Sequence, residues 1–137
     1  MQDHEIAELL QQVKTIALVG ASDNPARPSY GVMAYLLAQG YQVTPVSPKL
    51  AGQTLLGQPA YARLEDIPHP VDMVDVFRNS EAAYAVAQEA IAIGAKALWL
   101  QIGVINEQAE ALAAEVGLKV VMDRCPKIEI PRLGLER

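Results

Sequence analysis

The stretch "VGASDNPARPSYG", residues 19–31, combines Gly20, Ala21 and Ser22 with Arg27, Pro28, Ser29 and Tyr30 just where an apolar run gives way to a helical pattern. Small residues let backbone approach a ligand closely, hydroxyls and a guanidinium donate to anions, and a helix starting behind such a loop offers free N–H groups and the positive end of its dipole. These residue types at this spacing point to a phosphate. Ordinary turn chemistry accounts equally for Gly20 and Ser22, because small residues are common in any strand-to-helix loop; Arg27 is what adds to the phosphate reading. Three further short segments carry similar potential: Val46-Ser47-Pro48-Lys49, Phe77-Arg78 and Gln101-Ile102-Gly103. Lys49 either meets an anion or is simply solvated, and Phe77 with Arg78 is either a plane and a cation for a ligand or a core ring beside a surface charge.

Those four segments gain meaning from the elements before them. "TIALVG" (15–20), "YQVTPVSP" (41–48), "VDMVDVF" (71–77), "KALWLQIG" (96–103) and "LKVVMD" (118–123) are apolar enough to be strands covered on both faces. Helical patterns separate them: one with Ile6, Leu9, Leu10 and Val13 on one face and Asp3 as its cap, one with Met33, Leu36 and Leu37 ending at Gly40, one over 80–94 capped by Ser80, and one over 106–117. Pro45 must lie near a strand end or on an unpaired side, since it has no N–H to give a ladder. Residues 50–70, rich in glycine and proline, should hold one short strand and one short helix. Alternating strands and helices predict an α/β fold: a doubly wound, mostly parallel sheet, three-layered α/β/α and Rossmann-like, forming one domain over residues 1–137. In such a sheet ligands bind beyond the carboxyl ends of the strands, which is where all four segments fall.

Composition narrows the function. The chain has 137 residues, 51% hydrophobic and 20% charged, the size and polarity of a single globular domain. Eleven basic residues against sixteen acidic ones give a net charge of −5, and no basic run is long enough for a nucleic-acid footprint. The first residues carry acids and no unbroken apolar stretch, so neither a signal peptide nor a membrane span is expected, and the expected location is the cytoplasm. Cys125 is the only cysteine, which leaves no disulfide framework and no multi-cysteine zinc site.

Catalytic groups are scarce. His4 and His69 are far apart and give no metal-ligand spacing, and His69 precedes its strand, at the amino edge opposite the candidate site. Asp75 falls inside a covered strand, where a structural hydrogen bond to a helix end or to Arg78 is expected rather than catalysis. Trp99 and the alanine-rich pattern over 80–94 read as packing. The dinucleotide fingerprint G-x-G-x-x-G is absent, and the second strand closes on Ser47-Pro48-Lys49 rather than on an acid. A lysine there suits a 2′- or 3′-phosphorylated adenosine better than plain NAD.

"VGAS" with "RPSYGV", "GYQVTPVSPK", "VDMVDVFR", "LWLQIGV" and "VMDRCPKIE" together resemble the CoA-binding domain family, in particular its small YccU-like members, and are similar to the CoA-binding domain of succinyl-CoA synthetase α subunits. The resemblance covers roughly residues 15–130. It implies coenzyme A, or an acyl-CoA, as the ligand, held across the carboxyl edge. Gly20, Ala21, Ser22, Arg27 and Ser29 would follow the phosphates, with Pro28 and Tyr30 in the same stretch. Val46, Ser47, Pro48 and Lys49 would meet the adenosine and its 3′-phosphate, Phe77 and Arg78 would close over the base or the pantetheine arm, and Gln101, Ile102 and Gly103 would line the outer wall. The phosphohistidine and grasp-like domains of the synthetase have no counterpart here, so a complete ligase is not expected.

The leading expectation is thus a CoA-binding protein without evident catalytic machinery. An NADP-dependent oxidoreductase, which would also want a cation after the second strand, and a regulatory interaction domain that has lost its ligand are the alternatives. Cys125 is either a small buried hydrophobe or, flanked by Arg124 and Lys127, faces the thiol of bound CoA where a mixed disulfide could form. A homodimer or an unidentified protein partner is left open, and so is whether residues 125–137 cover this chain's own sheet edge or a neighbour's.

Overall fold

Runs such as Met73–Val76 and Ala97–Leu100 are buried at every position, which only a strand covered on both faces can be. The computed structural model describes residues 1–137. Its sheet has five parallel strands, β1 (Thr15–Val19), β2 (Gln42–Val46), β5 (Met73–Val76), β6 (Ala97–Leu100) and β7 (Lys119–Met122), in the order β2-β1-β5-β6-β7. Strands β3 (Thr54–Leu55) and β4 (Gln58–Pro59) form a separate antiparallel hairpin. From β1 the chain goes first to one side, into β2, and later to the other, into β5. The sheet's switch point therefore lies between β1 and β5, the two strands that open the site below.

Two apolar clusters sandwich the sheet. One joins α1 (Asp3–Gln12), α2 (Pro28–Ala38) and α5 (Pro126–Arg132) through Ile6, Leu10, Met33, Leu36 and Ile130 to Ile16, Leu18 and Trp99. The other packs α3 (Ala83–Ala92) and α4 (Glu107–Glu115) onto Ala17, Val74, Leu98 and Leu100. Ala83, Ala87, Ala90, Ala109 and Ala113 are fully buried, so small side chains do bring both helices close to the sheet. The expected α/β/α arrangement is present.

Several local expectations need correction. The first helix is capped by Gln2, whose backbone N–H is held by Glu5 in a capping box, and Asp3 lies inside the helix paired with Arg132. Ser80 does not cap α3, which starts three residues later; its hydroxyl donates to the Gly103 carbonyl and accepts from Ile105 N–H, tying two loops together. Between residues 50 and 70 the chain forms two short strands, the β3–β4 hairpin, where one was expected, and the expected short helix is a 3₁₀ helix at Leu64–Asp66. Pro45 is placed as its chemistry requires: its carbonyl accepts from Tyr61 N–H, so the side of β2 that lacks an N–H faces away from β1. Residues 126–132 cover neither kind of sheet edge. They form α5, packed on the sheet's face against α2 and joined to α1 by the Arg132–Asp3 ion pair.

Asp75 is the largest departure. It is fully buried between Leu18 and Trp99 in the register, and neither carboxylate oxygen has a hydrogen-bond partner. Arg78, offered as its partner, is exposed beyond the strand end. Burial alone pushes the Asp75 carboxyl well above its usual range and so favours its neutral form. A raised folded-state pKa contributes nothing against stability below about pH 4, where both states are protonated. Above that the unfolded chain ionises alone, and stability falls by up to about 1.4 kcal/mol per pH unit. Asp75→Asn should abolish this slope, so the difference between variant and wild type in urea unfolding should grow from pH 4 to pH 7; parallel pH profiles would show that Asp75 is not the neutral group described.

Candidate functional site

The residues that follow the strands stay tied to the sheet. Gly20 N–H donates to the Val46 carbonyl at 3.0 Å, Phe77 N–H to Val19 at 2.8 Å, Gln101 N–H to Val76 at 3.3 Å and Arg124 N–H to Leu100 at 3.3 Å. The first residues past β1, β5 and β6 therefore continue the sheet's backbone hydrogen bonding beyond the strands. Above them opens a cleft of about 750 Å³ at the carboxyl edge, on the side of α2 and α5.

Gly20 makes the floor possible. It sits at φ +90°, and a Cβ there would lie 2.6 Å from the Phe77 carbonyl oxygen. From it the chain passes through two local turns, with Ser22 Oγ accepting from Asn24 N–H and Asn24 Oδ1 from Ala26 N–H, before α2 begins. Pro28 starts that helix at its first turn, where a missing N–H costs nothing.

The electrostatics of α2 run against helix convention. Asp3 and Glu5 stand in the first turn of α1, and Glu107 and Glu110 in that of α4, as the helix dipole favours. The first turn of α2, like that of α3, has no acid and no side-chain cap, but its N-cap residue is a cation, Arg27. Lys127 adds a second cation: its ammonium would lie 3.7 Å from a Cβ at Gly31, in the same end of the helix. Cations at the positive end of a dipole are unfavourable until an anion sits between them. The cleft as a whole has Arg27, Lys49 and Arg78 on its lining against the single acid Asp23, in a chain of net charge −5.

Of the residues singled out from sequence, Gly20, Ala21, Ser22, Arg27, Pro28, Ser29, Ser47, Lys49, Phe77, Arg78, Gln101 and Ile102 all line this one cleft. Four others do not. Tyr30 packs against the core beneath α2, Val46 is buried in β2 with its carbonyl used by Gly20 and Ala21, Pro48 is exposed, and Gly103 turns outward with its N–H on Asp123 Oδ1 at 2.8 Å. For Tyr30 and Val46, which lie within α2 and β2, the side chain turns to another face because strand and helix alternate faces within a few residues. Val32, Leu50, Val104 and Ile128 line the cleft without having been singled out, as does Cys125, whose position had been left open. Ile128, 52% exposed, comes from α5, a short helix that the sequence reading did not assign. His69 lies at the amino edge, where its Nδ1 donates to the Pro70 carbonyl and its Nε2 faces Gln42 and Thr44.

Residues 14–131 match the model of the CoA binding domain, and the chain belongs to that family. It is 41% identical over 124 residues, 90% of either chain, to the uncharacterized protein YneT of Bacillus subtilis. A hypothetical protein from Pyrococcus horikoshii is similar in structure, with a TM-score of 0.92 and 41% identity over 97% of this chain and 92% of that one. The apo form of a dinucleotide-forming acetyl-coenzyme A synthetase 1 from Ca. Korarchaeum cryptofilum matches 85% of this chain, but only 27% of its own length, with a TM-score of 0.72 and 27% identity.

The tight approach of Gly20 to Phe77 can be tested directly. Gly20→Ala combines an unfavourable backbone conformation with a backbone clash and should lower stability by about 2–4 kcal/mol in urea unfolding. Wild-type stability would mean that the end of β1 relaxes away from Phe77 at little cost.

Proposed function

We propose that this cleft binds coenzyme A or an acyl-CoA, with the diphosphate on the first turn of α2 and the 3′-phosphate beside Lys49. The observation that carries the reading is the α2 terminus: an uncapped helix start, free of acids and flanked by the cations Arg27 and Lys127, whose charge a bound anion would offset. Lys49 lies past the end of β2, where a dinucleotide fold would place an acid for the ribose of NAD, and its cation favours a phosphorylated ribose instead. Ser47 and Leu50 lie beside it in the same wall, and Phe77 offers a ring to the base or to the arm. Family membership supports the choice of CoA among phosphorylated ligands.

The same reading makes the protein a binder that holds or delivers its ligand rather than one that transforms it. Neither histidine lines the cleft, and the one carboxylate on its lining, Asp23, is exposed on the loop. No positioned acid–base pair reaches the place where the ligand would lie.

Isothermal titration of ligand-free protein with CoA, dephospho-CoA, NAD and NADP tests this. CoA should bind more tightly than dephospho-CoA by about 10- to 100-fold, the value of one charge-assisted contact of about 1.5–3 kcal/mol, and Lys49→Ala should erase that difference while leaving dephospho-CoA binding nearly unchanged. Binding of NADP alone would point to a nicotinamide enzyme, and binding of none of the four would leave an interaction domain without a nucleotide.

A further inference from the structure

The cleft is chemically lopsided. Its cations gather on the side of β2 and α2, at Lys49 and Arg27, whereas the walls beyond β6 and β7 are Gln101, Ile102, Val104, Cys125 and Ile128, with no charge among them. From β2 to β6 is three inter-strand gaps, about 14 Å. With the phosphates at the cationic end, the thiol-bearing arm of CoA must run toward the apolar end.

Two features mark that end as a place for such an arm. Ile102 and Ile128 stand 58% and 52% exposed at its rim, apolar surface that a hydrocarbon chain would cover. Gln101 is only 6% exposed, yet its side-chain carbonyl Oε1 is buried without a hydrogen-bond partner. A buried acceptor left unpaired is costly, and an amide N–H of the pantetheine arm is the donor it lacks.

We propose that Cys125, in the same wall, captures the ligand covalently through thiol–disulfide exchange, which makes the protein an acceptor for the oxidised form of CoA. The inference rests on the CoA reading above. Cys125 is the only cysteine of the chain, so no intramolecular disulfide competes for it. Its place is fixed on both sides. Asp123, in a left-handed conformation at φ 62°, accepts from Gly103 N–H; the Arg124 carbonyl accepts from Trp99 Nε1 at 2.8 Å; the Cys125 carbonyl accepts from Ile128 and Glu129 N–H at 3.0 and 2.9 Å. Arg124 is drawn off to the buried Glu129 at 3.0 Å, which anchors α5 rather than crowding the thiol.

The step balances as follows. The Cys125 thiolate attacks one sulfur of CoA disulfide, and a new S–S bond joins Cys125 to one CoA. The original S–S bond breaks, and the second CoA departs as a thiolate, which takes up the proton that Cys125 released. No other oxidant is required, and a small dithiol reverses the exchange.

Intact mass spectrometry of the wild-type chain incubated with CoA disulfide is the test, run beside glutathione disulfide and beside titration with reduced CoA. Because there is one cysteine, a mass gain of one CoA per chain that dithiothreitol removes assigns the site without a variant. Cys125→Ser, checked for folding by circular dichroism, should show no gain. Exchange with CoA disulfide should be at least ~10-fold faster than with glutathione disulfide, because a bound ligand presents its sulfur at high effective concentration. Equal rates would reduce Cys125 to an unguided thiol and overturn the proposal. Absence of an adduct on protein that binds reduced CoA would overturn it while leaving the CoA reading intact. Absence of both adduct and CoA binding would remove the two together.

Discussion

The molecule has least room where β1 ends. Gly20 must donate its N–H to the Val46 carbonyl of β2 on one side and lie against the carbonyl of Phe77, just past β5, on the other, with 2.6 Å separating that oxygen from where any side chain would begin. This close approach brings the loop after β1 down onto the sheet at the point where the winding reverses. The turns through Ser22 and Asn24 then aim the start of α2 back across the cleft. Everything a ligand could touch, from Lys49 beyond β2 to Gln101 beyond β6, is arranged around that crossing.

What the crossing presents is an electrostatic imbalance. An acidic protein has gathered Arg27 and Lys127 at the positive end of one helix, while α1 and α4 start with acids in the usual way. Such a terminus contributes little to folding, and its cost is recovered only when an anion binds. The supporting core is conservative by comparison: two apolar layers, alanine-faced helices on one side, and a network that runs from Asp3 through Arg132 and Glu129 to Arg124 and holds the last helix in place. Asp75 is the exception, an acid in the middle of the sheet without a partner, whose burial raises its pKa.

The layered sheet was legible because continuous apolar runs and helical spacing are set by burial on two faces and one. The cleft's position followed from topology, since strand ends of a doubly wound sheet converge whatever their sequence. Local devices were less legible. Asp3 and Ser80 have the right chemistry for caps, but Arg132 and the Gly103 loop, distant in sequence, claim them instead. Short hairpins such as β3–β4 are held by a turn rather than by a pattern, so the segment between 50 and 70 gave no period to read. Tyr30, Val46, Pro48 and Gly103 belong to the same segments but do not line the cleft, while Ile128 reaches it only because α5 folds back over the sheet. Adjacency along the chain identifies a loop; which of its side chains face inward depends on packing that a single sequence does not display.

The central claim is that α2's first turn receives the phosphates of CoA. The most direct measurement is a titration of ¹⁵N-labelled protein with CoA followed by amide chemical shifts. The account predicts the largest shifts at Ser22, Ser29 and Gly31, with smaller ones at Lys49 and Gln101 and none near His69 at the opposite edge. Shifts confined to the smaller cavity of about 340 Å³ bordered by Leu10, Tyr41 and Ile130, or to the exposed faces of α3 and α4, would contradict it.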